Sequence, residues 1–173
     1  MTPRAVIVGL PGAGKSTTGR RLAKILAVGF SDSDDLVERA DGRTVRAIFA
    51  ESGEPAFRAI ESAVITAALA DFDGILALGG GALTVEATRE AVVSSGVPVV
   101  VLKAARDTLR LRVGDASTRP LLADDPEGRL AELDRERAPV FDAVCAFSVD
   151  TDDRTPGQVA AKVAARLHEM RTR

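Results

Sequence analysis

Several residue types are scarce in this sequence, and each scarcity closes off a class of function. There is one cysteine, Cys145, so no intramolecular disulfide can form. A lone thiol fits a reducing compartment, and Cys145 is expected to be a small buried apolar group. The single histidine, His168, lies on the last amphipathic segment, far in sequence from every motif. With no partner it builds no acid–base or metal constellation and is expected at the surface. Asparagine is absent altogether, which removes the Asn-Lys-x-Asp signature that a guanine-reading GTPase needs. No apolar run approaches the roughly 20 residues of a membrane span. No basic-then-apolar leader precedes the first strand, so the chain is expected to be cytoplasmic. The net charge of −2 predicts attraction neither to nucleic acid nor to anionic membranes. Lysine is scarce too: Lys15, Lys24, Lys103 and Lys162 stand among 23 basic residues, and the others are arginine. Planar groups that grip carboxylates and phosphates in bidentate fashion are therefore plentiful.

What remains is an ordinary globular composition, 46% hydrophobic and 28% charged over 173 residues, expected to form one domain spanning 1–173 and to act as a monomer. Ala5-Val-Ile-Val8, Gly74-Ile-Leu-Ala-Leu78 and Pro98-Val-Val-Val-Leu102 read as buried parallel strands, with shorter candidates at Gly29–Asp32 and Ala146–Val149. Helical periodicity runs over about 15–26, 55–70, 84–95, 105–113, 127–144 and 156–171, with Pro55 and Pro156 placed for first helical turns. Alternating strands and helices predict an α/β fold with a central parallel sheet flanked by helices. Two stretches interrupt the alternation. Residues 32–61 carry short helical pieces without a strand, and residues 114–126 have turn chemistry without periodicity. Both are expected to be moving parts around a fixed site.

Gly9-Leu-Pro-Gly-Ala-Gly14-Lys15-Ser16 satisfies G-x-x-x-x-G-K-[ST] between a strand and a helix. Such a loop wraps backbone N–H groups around phosphates, and the following helix adds the positive end of its dipole. Gly12, Ala13, Gly14, Lys15, Ser16 and Thr17 are thus expected to hold ATP. Lys15 would reach the β- and γ-phosphates, and the Ser16 hydroxyl would ligate Mg²⁺. No acid follows the strand ending at Leu78, which runs into Gly79-Gly80-Gly81, so a second metal-associated carboxylate must come from elsewhere.

Asp32-Ser33-Asp34 can supply it. Residues two apart at a strand end face one side, so one acid can serve Mg²⁺ and the other accept a hydrogen bond from an acceptor hydroxyl; a plain helix N-terminus is the alternative. Asp35 reads as a simple N-terminal acid. Arg58 and Glu61 lie one helical turn apart, either as a surface ion pair or as part of a pocket. The triple glycine at a strand's C-terminal end lets a ligand approach the backbone.

Taken together, the loop at 9–16, Asp32-Ser-Asp34, Phe57-Arg58-x-x-Glu61, Leu78-Gly-Gly-Gly81, Arg119-Pro-Leu-Leu122 and Arg137-Ala-Pro139 give the chain a close, nearly end-to-end resemblance to shikimate kinases. The resemblance implies a P-loop NTPase fold of the nucleoside-monophosphate-kinase type, with a substrate-binding insertion and a lid at about 114–126. It implies phosphorylation of the 3-hydroxyl of shikimate by ATP, on the path to chorismate and the aromatic amino acids. Asp34 would then bind the shikimate hydroxyls and be the candidate base, leaving Asp32 with Ser16 for Mg²⁺. Arg58 and Arg137 would hold the carboxylate, with Glu61, Gly79, Gly80 and Gly81 completing the pocket. Arg119 would be the lid arginine closing on the phosphates, and Arg112, Arg154 and Pro156 would flank the adenine.

One position departs from the family pattern, which has Leu-Tyr where this chain has Val140-Phe141. The ring is expected to pack without its hydroxyl. Asp124 and Asp125, beyond the lid arginine, read as solvated loop charges. A gluconate kinase would share the loop and lid without needing Arg58, the triple glycine and Arg137 together. A slow or inactive nucleotide-binding module has no use for a carboxylate fork.

Overall fold

The computed structural model describes residues 2–113 and 125–172. Arg119, Asp124 and the rest of the expected lid up to residue 124 lie outside the described residues. In chain order the elements are β1 (Ala5–Gly9), α1 (Lys15–Leu26), β2 (Gly29–Asp32), α2 (Ser33–Asp41), α3 (Val45–Asp71) and β3 (Gly74–Ala77). After a 3₁₀ turn at Ala82–Thr84 come α4 (Glu86–Ser94), β4 (Val99–Lys103), α5 (Arg106–Val113), α6 (Pro126–Val144), β5 (Phe147–Asp150) and α7 (Pro156–Arg171). The five strands form one parallel sheet in the order β2-β3-β1-β4-β5.

The unbroken apolar strands make sense because the sheet has a core on each face. Successive side chains point to opposite sides. Ala5 and Ile7 of β1, with Val100 and Leu102 of β4, pack against Leu22 of α1 and Val163 of α7. Val6 and Val8, with Val99 and Val101, turn to Ile65 of α3, Val92 of α4 and Phe141 of α6. The Phe141 ring is thus a packing group, as expected. β5 lies at an edge, and there only Phe147 and Val149 are buried while Ser148 and Asp150 face water.

The long α3 is two helical stretches meeting at Gly53, whose φ of 78° lies outside the helical region. Pro55 follows in the first turn of the second stretch, where its missing N–H costs nothing. Both stretches meet α2 in a small third core of Val37, Ile48 and Phe57. The insertion at 32–61 therefore carries its own apolar anchor beside the sheet. Because all strands run parallel, their C-terminal ends share one edge, where Gly9, Asp32, Leu78 and Asp150 deliver the loops that carry the chemistry.

Candidate functional site

Two cavities open along that edge. The first, of about 460 Å³, is lined by Gly12 through Thr18 together with Arg112, Thr151, Arg154 and Pro156. Gly12 and Gly14 hold φ of 84° and 86°, values an L side chain rarely adopts, and this lets the loop curl before α1 begins at Lys15. Lys15 Nζ donates to the Gly9 and Leu10 carbonyls at 3.0 and 3.2 Å, which folds the cation back over the loop it follows. Ser16 Oγ donates to Asp32 Oδ2 at 2.6 Å, so the hydroxyl opening α1 and the carboxylate ending β2 meet.

The second cavity, of about 420 Å³, is lined by Lys15, Ser16, Asp32, Asp34, Arg58, Glu61, Gly79–Gly81 and Arg137, among others. It shares Lys15 and Ser16 with the first. Arg58, 12% exposed, donates from Nη1 to Glu61 Oε2 at 2.6 Å and from Nη2 to Glu54 Oε1 at 3.0 Å. Glu61 is only 1% exposed, and its other oxygen, Oε1, is buried without a hydrogen bond. The ion pair is therefore part of a pocket wall and not a solvated surface pair. Arg137 is 5% exposed with Nε unpartnered. Burial, aided by the like charge of Arg58, pushes its pKa down to about 10. A buried cation whose charge is disfavoured gains most from an incoming anion.

Asp34 is open to the water of the cavity, yet protein crowds its carboxyl on the other sides. Desolvation raises its pKa, the charge of Asp32 adds to that, and Lys15 and Arg58 pull the other way. Glu61 is raised as well, by burial, against the opposing pull of Arg58. The pocket thus holds carboxylates above their ordinary range beside cations that want an anion. Such perturbed groups collect where chemistry is done.

The triple glycine has a specific steric reason at each position. A methyl group on Gly79 would lie 2.5 Å from Glu61 Oε1 and 3.3 Å from Asp34 Oδ1. On Gly80 it would lie 2.7 Å from Arg137 Nη1, and on Gly81 2.3 Å from Arg58 Nη2. Three consecutive backbone positions therefore each abut a different charged group of the pocket. Glycine is what lets these groups converge on the end of β3.

Most of the residues expected from the sequence meet here. Gly12, Ala13, Gly14, Lys15, Ser16, Thr17, Arg112, Arg154 and Pro156 line the first cavity. Asp32, Asp34, Arg58, Glu61, Gly79, Gly80, Gly81 and Arg137 line the second. The reason for the Asp32–Asp34 pairing differs from the one anticipated. β2 stops at Asp32, whose side chain accepts the Asp34 N–H and caps α2, so helix geometry and not strand alternation brings both acids to one cavity. Asp35 does sit in the first turn of α2, 3.6 Å from Arg20.

Asp125 is not merely a solvated loop charge. It caps α6, accepting the Gly128 N–H at 3.0 Å. Cys145 is half-buried rather than buried, with its thiol pKa raised by burial, and His168 is exposed. Among the described residues no cluster of three or more His, Cys, Asp or Glu could hold a metal, and no helix is long and apolar enough to cross a membrane.

Sequence reasoning missed Ser33, Thr151 and Arg46. Ser33 is fully buried and accepts the Gly79 N–H on Oγ at 2.8 Å, pinning the glycine run to α2. Thr151 receives two hydrogen bonds from Arg112, at 2.8 and 2.9 Å. Arg46 is an exposed cation on the rim of the second cavity. No local pattern flags a serine or threonine whose partner is tens of residues away. A cation facing the insertion's inner side was, in principle, readable.

Comparison with known proteins agrees with this geometry. A family model for shikimate kinase matches residues 11–168. A shikimate kinase of Mycobacterium tuberculosis is 46% identical over 168 residues, covering 96% of this chain and 94% of that protein. The structure of shikimate kinase from Acinetobacter baumannii in complex with shikimate matches with a TM-score of 0.94 at 32% identity, over 100% of this chain and 96% of that one. A gluconokinase from Sinorhizobium meliloti shares the fold, with a TM-score of 0.63 at 18% identity over 98% of this chain and 94% of its own. The five-stranded parallel sheet is thus that of the P-loop small-molecule kinases.

Proposed function

The chain belongs to the shikimate kinase family, and from that premise we propose that it transfers the γ-phosphoryl group of ATP to the 3-hydroxyl of shikimate, giving shikimate 3-phosphate and ADP. The observation that carries the proposal is the meeting of two cavities at Lys15 and Ser16. A phosphate-binding loop on one side and a pocket rich in arginine and carboxylate on the other make a donor and an acceptor share one boundary. Residues 1–173 act as a single kinase domain, with 32–61 as the substrate-binding segment.

Gly12 to Thr17 cradle the ATP phosphates, while Arg112, Arg154 and Pro156 take the adenine end. Lys15 leaves its carbonyl partners for the β- and γ-phosphates and neutralises charge as the phosphoryl group moves. Ser16 and Asp32 fit Mg²⁺: two hard oxygens stand together at the phosphate cavity, and this ion takes few protein ligands when phosphates and waters supply the rest. When bound, Mg²⁺ offsets the negative charge of the phosphate oxygens.

On the acceptor side, Arg58 and Arg137 grip the shikimate carboxylate, and guanidinium is the better fork for it. Support for this comes from their burial and from the Nε of Arg137 that lacks a protein partner. Glu61 holds Arg58 in place, and Gly79, Gly80 and Gly81 leave room for these groups and for the ring of the substrate. Asp34 receives or orients the proton of the attacking hydroxyl, which its raised pKa favours at a site facing water. Arg119, outside the described residues, is the proposed lid cation. The proposal is tested by ADP release with shikimate, gluconate and nucleoside monophosphates as acceptors, and only shikimate should stimulate it strongly.

A further inference from the structure

The short helix α5, eight residues long, buries only Leu109 and starts after Ala105, a residue with no side chain to cap its first turn. Orphan N–H groups there need a partner. Asp152, from the loop between β5 and α7, provides one. The Ala105 N–H donates to Asp152 Oδ2 at 2.8 Å. The Asp152 carboxyl is held below the ordinary carboxylate range, with Thr108 of the same first turn the largest influence and the Ala105 N–H the next. The Asp152 N–H in turn donates to Asp150 Oδ1 at 2.8 Å, fixing the capping residue to the end of β5.

The other end of α5 returns to the same loop. Arg112 donates to Thr151 Oγ1 and to the Thr151 carbonyl. Two consecutive residues, Thr151 and Asp152, therefore clasp the helix near both ends. Arg112 from the helix and Thr151, Arg154 and Pro156 from the loop line the phosphate-side cavity together. α5 also rests on Leu109, on Val113 beside the phosphate loop and on an Arg106–Asp134 ion pair to α6 at 3.5 Å, so the clasp fixes its two ends against the β5–α7 loop.

We propose that Asp152 is a positioning residue for recognition of the nucleotide base: by capping α5 from the end of the neighbouring strand it locks the helix to the β5–α7 loop, so that Arg112, Arg154 and Pro156 form one wall of the base site. This rests on the assignment of that cavity to ATP. It concerns the base more than the phosphates: Asp152 makes no bond to the phosphate loop, although Gly12 of that loop packs on Leu109 and Val113 of α5.

The test compares calorimetric binding of ADP and of inorganic tripolyphosphate to the full chain and its variants. Asp152→Ala should weaken ADP binding about five- to tenfold and leave tripolyphosphate within about twofold, the loss expected when a cap and its helix shift. Asp152→Asn should restore most of the ADP affinity, since its amide oxygen still accepts from N–H. In an Arg112→Ala background, Asp152→Ala should add little, because both act on one wall. Should Asp152→Ala not fold, Asp152→Ser, which keeps a shorter acceptor for the Ala105 N–H, should show a smaller loss in the same direction. Equal loss of ADP and tripolyphosphate, or additive losses with Arg112→Ala, would overturn the proposal. None of these readouts needs the acceptor, so a wrong acceptor assignment would fail separately, in the ADP-release assay.

Discussion

Replacing Gly81 by alanine isolates the acceptor pocket from the rest of the enzyme. The backbone at Gly81 has φ of −104°, which alanine adopts without strain. The added methyl, however, would stand 2.3 Å from Arg58 Nη2 and 2.8 Å from its Cζ. The guanidinium must retreat by about 1 Å before the contact becomes ordinary, enough to misalign a bidentate grip on a carboxylate. A hydrogen bond to a charged group is worth about 1.5–3 kcal/mol, so losing one should raise the KM for shikimate about ten- to a hundredfold. The group that moves is the far end of a flexible side chain, so stability should change little. Initial rates with shikimate varied at saturating ATP, and the reverse, make the measurement. KM for ATP should hold within about twofold. Arg58→Ala should show the same pattern, and the double variant should be no worse than Arg58→Ala alone. Equal rises in both KM values, or an unchanged KM for shikimate, would refute the placing of Arg58 on the substrate carboxylate.

Other outcomes follow from the same geometry. Lys15→Ala should abolish turnover while the circular dichroism and melting temperature stay close to the parent's, since Lys15 sits half-exposed with its ammonium on the Gly9 and Leu10 carbonyls of its own loop; near-normal kcat would sink the phosphate assignment. Glu61→Ala should cost about 3 kcal/mol in urea unfolding, because it leaves Arg58 buried beside one exposed partner, and a loss under about 1 kcal/mol would mean that the pair is solvated after all. Asp34→Asn should abolish turnover yet stabilise the fold modestly near neutral pH. A carboxyl raised above its ordinary 3.8 favours the folded state below that value, and this contribution is lost as pH rises through the raised pKa. The stability gap between variant and parent should therefore close in acid, and a variant less stable than the parent at neutral pH contradicts the assignment.

How far the sequence disclosed all this depended on the range of each interaction. The loop at 9–16 was legible because its demands are local: positive φ at Gly12 and Gly14, a strand before and a helix after. Strand positions were legible to within a residue or two, because unbroken β-branched runs suit a sheet with a core on each face. The triple glycine was legible as unusual, but not for its reason, which lies in the side chains of Arg58, Glu61 and Arg137 arriving from α3 and α6. Asp32 and Asp34 were rightly grouped on a mistaken geometry, since a capping aspartate and a strand-end aspartate look alike in one dimension. Asp125, Ser33 and Asp152 share that ambiguity: a polar residue in a turn declares its chemistry, while its partner is chosen by the fold.

The central claim is that the cavity beside Lys15 accepts shikimate. It is tested most directly by coupled ADP release from the purified chain with shikimate, gluconate or a nucleoside monophosphate as the acceptor. The account predicts saturable stimulation by shikimate, strongly reduced in Arg58→Ala, with the other two near the background rate. Stimulation by gluconate or a nucleotide and none by shikimate would contradict it.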